Sequence, residues 1–120
     1  MAKILLVEDN DMNRDLLSRH LERRGFDYVI ACDGEVAVRL AHSEMPDLIL
    51  MDMNLPVKSG SIAAREIKAS ALTSSIPIIA LTAYASEEAI EKALLADFDA
   101  YETKPFRTQH LFDKIQTLLQ

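Results

Sequence analysis

A chain of 120 residues, 49% hydrophobic and 27% charged, has the size and composition of one globular domain with a buried core. Its formal net charge of −6 argues against a general nucleic-acid binder or a binder of anionic membranes, and no apolar stretch approaches a bilayer span. The single cysteine, Cys32, excludes a disulfide framework and reads as a small buried hydrophobe. No secretory apolar segment follows Met1, so a soluble, cytoplasmic protein is expected.

Lys3 to Val7 is an apolar run without alternation, as in a central parallel strand covered on both faces. Asn10 or Asp11 can cap the helix that follows, whose inner stripe is Met12, Leu16, Leu17 and Leu21, and Gly25 stops it. Phe26 to Cys32 is a second strand, nearer an edge. Asp33-Gly34 turns the chain into a short helix marked by Val36, Ala37, Leu40 and Ala41, which ends before Pro46. Asp47 to Asp52 is the third strand. Ser59 can cap a third helix with Ala63, Ala64, Ile67 and Ala71 on its inner face.

Thr73-Ser74-Ser75 reads as a polar turn before the fourth strand, Pro77 to Thr82. Ser86-Glu87-Glu88 starts a fourth helix lined by Ile90, Ala93 and Leu94. Ala100 to Thr103 is a short fifth strand closed by Lys104-Pro105, and Leu111, Ile115, Leu118 and Leu119 form the stripe of a final helix. Five strands alternating with five helices predict an α/β sandwich around one parallel sheet.

Three of these strands end on polar groups. The first runs into Glu8-Asp9, the third closes on Asp52, and the fourth closes on Thr82. In an open parallel sheet, ligands bind beyond the carboxyl ends of the strands. Acids delivered there would suit a hard divalent cation.

Glu8-Asp9, Asp52, Thr82 and Lys104-Pro105, taken together and in order, resemble a receiver domain of bacterial two-component response regulators. The resemblance spans essentially residues 1–120. It implies a doubly wound, flavodoxin-like five-stranded sheet of strand order 2-1-3-4-5. It implies that Asp52 accepts a phosphoryl group from a histidine kinase or a histidine phosphotransfer protein. Glu8, Asp9, Asp52 and the backbone carbonyl of Asn54 would hold Mg2+, with Mn2+ as a substitute, Glu8 acting through a coordinated water. Lys104 and Thr82 would contact the phosphoryl group, and Tyr101 matches the switch aromatic. Asn54 and Tyr84 match positions flanking the path of the water that removes the phosphoryl group. Such a domain catalyses its own phosphorylation and dephosphorylation, yet serves as a switch and not as a turnover enzyme.

The chain departs from the family pattern at Asp97, where a glycine is common, and at Leu55 and Ser59 in the loop after Asp52. The output face expected from the resemblance joins the fourth helix, fifth strand and fifth helix, over residues 88–96, 100–103 and 107–114. It would take a downstream protein or a second copy of the chain. A single-domain regulator is expected. The alternatives are a receiver belonging to a hybrid sensor histidine kinase, and a pseudo-receiver that binds partners without phosphate.

Overall fold

The computed structural model describes residues 2–82, 97–105 and 107–120. The expected fourth helix, with Ile90, Ala93 and Leu94, lies outside them, as does Tyr84. The described elements are β1 (Lys3–Val7), α1 (Asp11–Arg23), β2 (Asp27–Ala31), α2 (Gly34–Glu44), β3 (Leu48–Asp52), α3 (Gly60–Ala69), β4 (Ile78–Thr82), β5 (Ala100–Thr103) and α4 (Thr108–Leu119). Four helices are thus seen among the described residues where five were expected.

All five strands are parallel, in the order β2-β1-β3-β4-β5. The apolar runs make this possible. Every residue of β3 and β4 is buried, because helices cover both faces of the sheet. Alternate side chains divide the core in two. Leu5, Val7, Ile49, Met51, Ile78 and Ala80 pack with Ala37 and Ala41 of α2 and Ala63, Ala64 and Ile67 of α3. Ile4, Leu6, Leu48, Leu50, Ile79 and Leu81 pack with Leu17 and Leu21 of α1 and with Leu111, Phe112 and Ile115 of α4.

The helices begin at side-chain caps. Asn10 accepts from the Asn13 N–H at 3.0 Å, Asp33 from that of Val36 at 2.8 Å, and Ser59 from that of Ile62 at 3.4 Å. Gly25 follows α1 with φ of 79°, the left-handed backbone that ends a helix. Asp97 adopts the same region, at φ of 73°, as its place in the pattern implies.

Several expectations are corrected. Cys32 is exposed, not buried. It follows the end of β2 on the side of the half-exposed Ile30, which the edge of the sheet leaves partly uncovered. Met12 and Leu16 are exposed, by 82% and 50%. They form a stripe one residue round the helix from Leu17 and Leu21, and only the latter stripe meets the sheet. Ala71 lies beyond α3 and is exposed. Thr73, expected in an exposed polar turn, is fully buried and donates its hydroxyl to the Ile67 carbonyl at 2.5 Å. Among the described residues no helix is long and apolar enough to cross a membrane.

Candidate functional site

Strands β1 and β3 are neighbours, with Val7 opposite Met51, so the residues that follow each pair also lie side by side. Glu8 is held in line by its own N–H, which donates to the Ala31 carbonyl at 3.1 Å. Asp52 is the last residue of β3. Both side chains have the alternation of Leu6 and Leu50, so they emerge on the α1–α4 side of the sheet. Glu8 is fully buried and Asp52 is 5% exposed.

Lys104 arrives from the end of β5, where its N–H donates to the Thr82 carbonyl at 2.7 Å and the Lys104–Pro105 peptide is cis. Its ammonium lies 3.0 Å from Glu8 Oε1 and 3.3 Å from Asp52 Oδ2. The other oxygen of Asp52, Oδ1, accepts from the Asn54 N–H at 3.1 Å. Behind Asp52 the backbone turns so tightly that a Cβ on Gly60 would stand 2.2 Å from the Asp52 carbonyl oxygen. Only glycine permits that approach.

Asp9 is exposed and completes the acidic group: one carboxylate oxygen each from Glu8, Asp9 and Asp52 lie within 4.8 Å of one another. An open cleft of about 570 Å³ lies over them, and Asn54 and Lys104 also line it. Burial, reinforced by the Asp52 carboxylate, pushes the Glu8 carboxyl up to about 7, against the pull of Lys104. Burial alone would lower Lys104, but its bonds to Glu8 and Asp52 outweigh that and hold it above the usual lysine value. Glu8 Oε2 is buried and has no hydrogen-bond partner among the described residues. Three hard oxygen donors, one of them orphaned, fit a small divalent cation that keeps part of its water shell.

The fold thus brings together Glu8, Asp9, Asp52, Asn54 and Lys104. Thr82 is buried at the end of β4, the strand beside β3, and its alternation places it toward the α2–α3 side. Tyr101 pairs with Ala80 on β5, half-buried against the α2–α3 core and outside the cleft lining. Sequence reasoning missed Arg14, which reaches back from α1 to donate to the Glu8 carbonyl at 3.3 Å and also bonds Asp11. Its position one turn beyond the Asn10 cap was the available signal.

Residues 4–116 match the family model described as the response regulator receiver domain. The chain belongs to that family. The receiver is 42% identical over 123 residues to hybrid signal transduction histidine kinase I of Dictyostelium discoideum. That match covers 96% of the chain and only 7% of the much longer relative. Among solved structures, it is similar to the receiver domain of a sensor histidine kinase from Pseudomonas aeruginosa PAO1, which holds a magnesium ion in its active-site cleft. The TM-score there is 0.92 at 40% identity, over 98% of this chain and 97% of that one. It is also similar to a chemotaxis response regulator of Vibrio cholerae, with a TM-score of 0.91 at 28% identity over 98% of both chains. As a receiver, the chain is a phosphoacceptor in two-component signalling.

Proposed function

We propose that Asp52 is the phosphoryl acceptor, and that Glu8, Asp9 and Asp52, with the Asn54 backbone carbonyl, hold Mg2+ or Mn2+ beside it. The observation that carries this reading is the cluster of three carboxylates whose two buried members share the ammonium of Lys104. An Asp52 carboxylate oxygen attacks the phosphorus of a phosphohistidine donor. The new O–P bond forms as the P–N bond breaks, and the donor imidazole leaves. The Asn54 N–H and Lys104 fix the carboxylate for that attack. Lys104 then offers its charge to the phosphoryl oxygens, and Thr82 its hydroxyl. A cation held by Glu8, Asp9 and Asp52 would supply further positive charge for the transfer.

Incubation with acetyl phosphate or phosphoramidate and magnesium should add one phosphoryl mass, and Asp52→Asn should abolish the addition. An unchanged mass in the folded wild-type protein with metal present would refute the reading and favour a phosphate-independent module. Asn54 and Tyr84 set the lifetime of the acyl phosphate in this proposal, so Tyr84→Ala should lose its phosphoryl group faster. Thr82 and Tyr101 carry the switch, toward a protein partner or a second copy on the face that includes β5 and α4.

The donor is a histidine kinase or a histidine phosphotransfer protein. Identities of 42% to a hybrid histidine kinase and 40% to the receiver of a sensor histidine kinase support a receiver of the hybrid-kinase type.

A further inference from the structure

Glu102 is an acid in the middle of β5, on the core side of an edge strand, and only 6% exposed. A buried carboxylate needs a partner, and α4 supplies two. Lys114 donates to Glu102 Oε2 at 2.6 Å, and His110 Nδ1 lies 3.3 Å from Glu102 Oε1. The Lys114 ammonium does more than neutralise Glu102. It also donates to the backbone carbonyl of Tyr101 at 2.6 Å and stands 5.1 Å from the centre of the Tyr101 ring. One cation therefore grips the strand at two successive residues and attracts the ring of the first. Among the described residues, Lys114 is the only side chain that bonds to the Tyr101 main chain and also faces its ring.

The geometry points to Lys114 as a positioning residue for the switch: anchored by Glu102, it latches Tyr101 in its resting position on β5. The inference rests on the reading of Tyr101 as the switch aromatic and adds what holds it. Rotation of the ring away from the surface separates it from the ammonium, so the latch opposes the change. A neutral side chain at 114 lowers that opposition and makes the active arrangement easier to populate.

The test compares tyrosine ring resonances of the wild-type protein, Lys114→Met, and the double variant Lys114→Met with Glu102→Leu. The double variant removes the clamp without leaving a buried, unpaired charge, so it keeps the test open if the single variant fails to fold. In the free protein, the Tyr101 resonances of the variants should move from the wild-type position toward that seen with beryllofluoride and magnesium. Beryllofluoride should bind the double variant about threefold more tightly, the scale of one lost cation–ring contact. Tyr101 resonances that coincide with wild type in the free double variant overturn the latch, and so does unchanged beryllofluoride affinity. Failure of the switch reading appears in a different sample: the wild-type Tyr101 would then stay still when beryllofluoride is added.

Discussion

The ammonium of Lys104 sits 3.0 Å from Oε1 of Glu8, a carboxylate 96 positions earlier in the chain and closed off from solvent. The contact joins the end of β5 to the end of β1 across the two strands between them. It also neutralises only part of the site, since Glu8 and Asp52 share one cation. Replacing Lys104 by Met should therefore destabilise the metal-free protein, most at alkaline pH where Glu8 is ionised, by up to about 3 kcal/mol, the scale of an unpaired buried charge. Magnesium should recover much of that loss. Chemical denaturation with EDTA or with excess magnesium measures both arms, and equal losses in the two would contradict a cation site at these carboxylates.

Glu8 gives a pH signature with a definite sign. Its carboxyl is pushed from an ordinary value of 4.5 up to about 7, chiefly by burial. A group raised on folding binds its proton more tightly in the folded state. Its stabilising contribution is complete below the ordinary value and is lost as pH rises through about 7. The metal-free protein should accordingly lose stability across that window more steeply than Glu8→Gln does. Parallel profiles for the two proteins would show that Glu8 does not titrate there.

The same proton competes with a cation. If Glu8 takes part in holding magnesium, binding must displace it, so apparent magnesium affinity should climb with pH until Glu8 is ionised. Glu8→Gln should bind more weakly and with a flatter pH dependence. Isothermal titration in buffers of different ionisation heat reads the released proton directly. Release of no protons near neutral pH from the wild-type protein would exclude Glu8 from the metal's shell.

Gly60 tests how rigidly Asp52, the proposed acceptor, is placed. Its would-be Cβ meets the Asp52 carbonyl oxygen at 2.2 Å and the Met53 Cα at 2.9 Å, both main-chain atoms that cannot swing aside. Gly60→Ala should cost roughly 1–3 kcal/mol as an overpacked site and shift Asp52 relative to Lys104. Phosphorylation by acetyl phosphate should slow by more than tenfold, a displacement effect on a positioned reaction. A variant of wild-type rate would mean that the loop relaxes without moving the carboxylate.

Much of this site was legible because buried parallel strands advertise themselves. Ile4 to Val7, Leu48 to Met51 and Ile78 to Leu81 are unbroken apolar runs, and the polar residue that ends each run marks the carboxyl edge of the sheet. Strand order was another matter. Periodicity carries no information about which strands are adjacent, so the meeting of Glu8 with Asp52 came from family resemblance. On α1 the expected inner stripe joined Met12, Leu16, Leu17 and Leu21, and only packing against the sheet decided that Leu17 and Leu21 go in while Met12 and Leu16 stay out. Glu102 was illegible as a buried acid. Its partners Lys114 and His110 lie on the next helix, and charge pairing between a strand and a helix leaves no local pattern.

The proposed switch has to reach from Thr82 on β4 to Tyr101 on β5. Thr82 and Thr103 are register partners on β4 and β5, and Ala80 is the partner of Tyr101, so a shift at the end of β4 acts on its neighbour strand. A phosphoryl group on Asp52 adds charge and acceptor oxygens at the carboxyl edge of the sheet. Drawing Thr82 toward them changes the packing on the α2–α3 side, the side that Tyr101 occupies. Beryllofluoride with magnesium should therefore shift amide resonances at Asp52 and Thr82, along β5 through Tyr101, and into α4. In Thr82→Ala the shifts at Asp52 should persist while those at Tyr101 shrink by at least half. That split separates a relay through Thr82 from a general response to added charge, which falls off with distance and ignores a missing hydroxyl. Tyr101 shifts of full size in Thr82→Ala would remove Thr82 from the path.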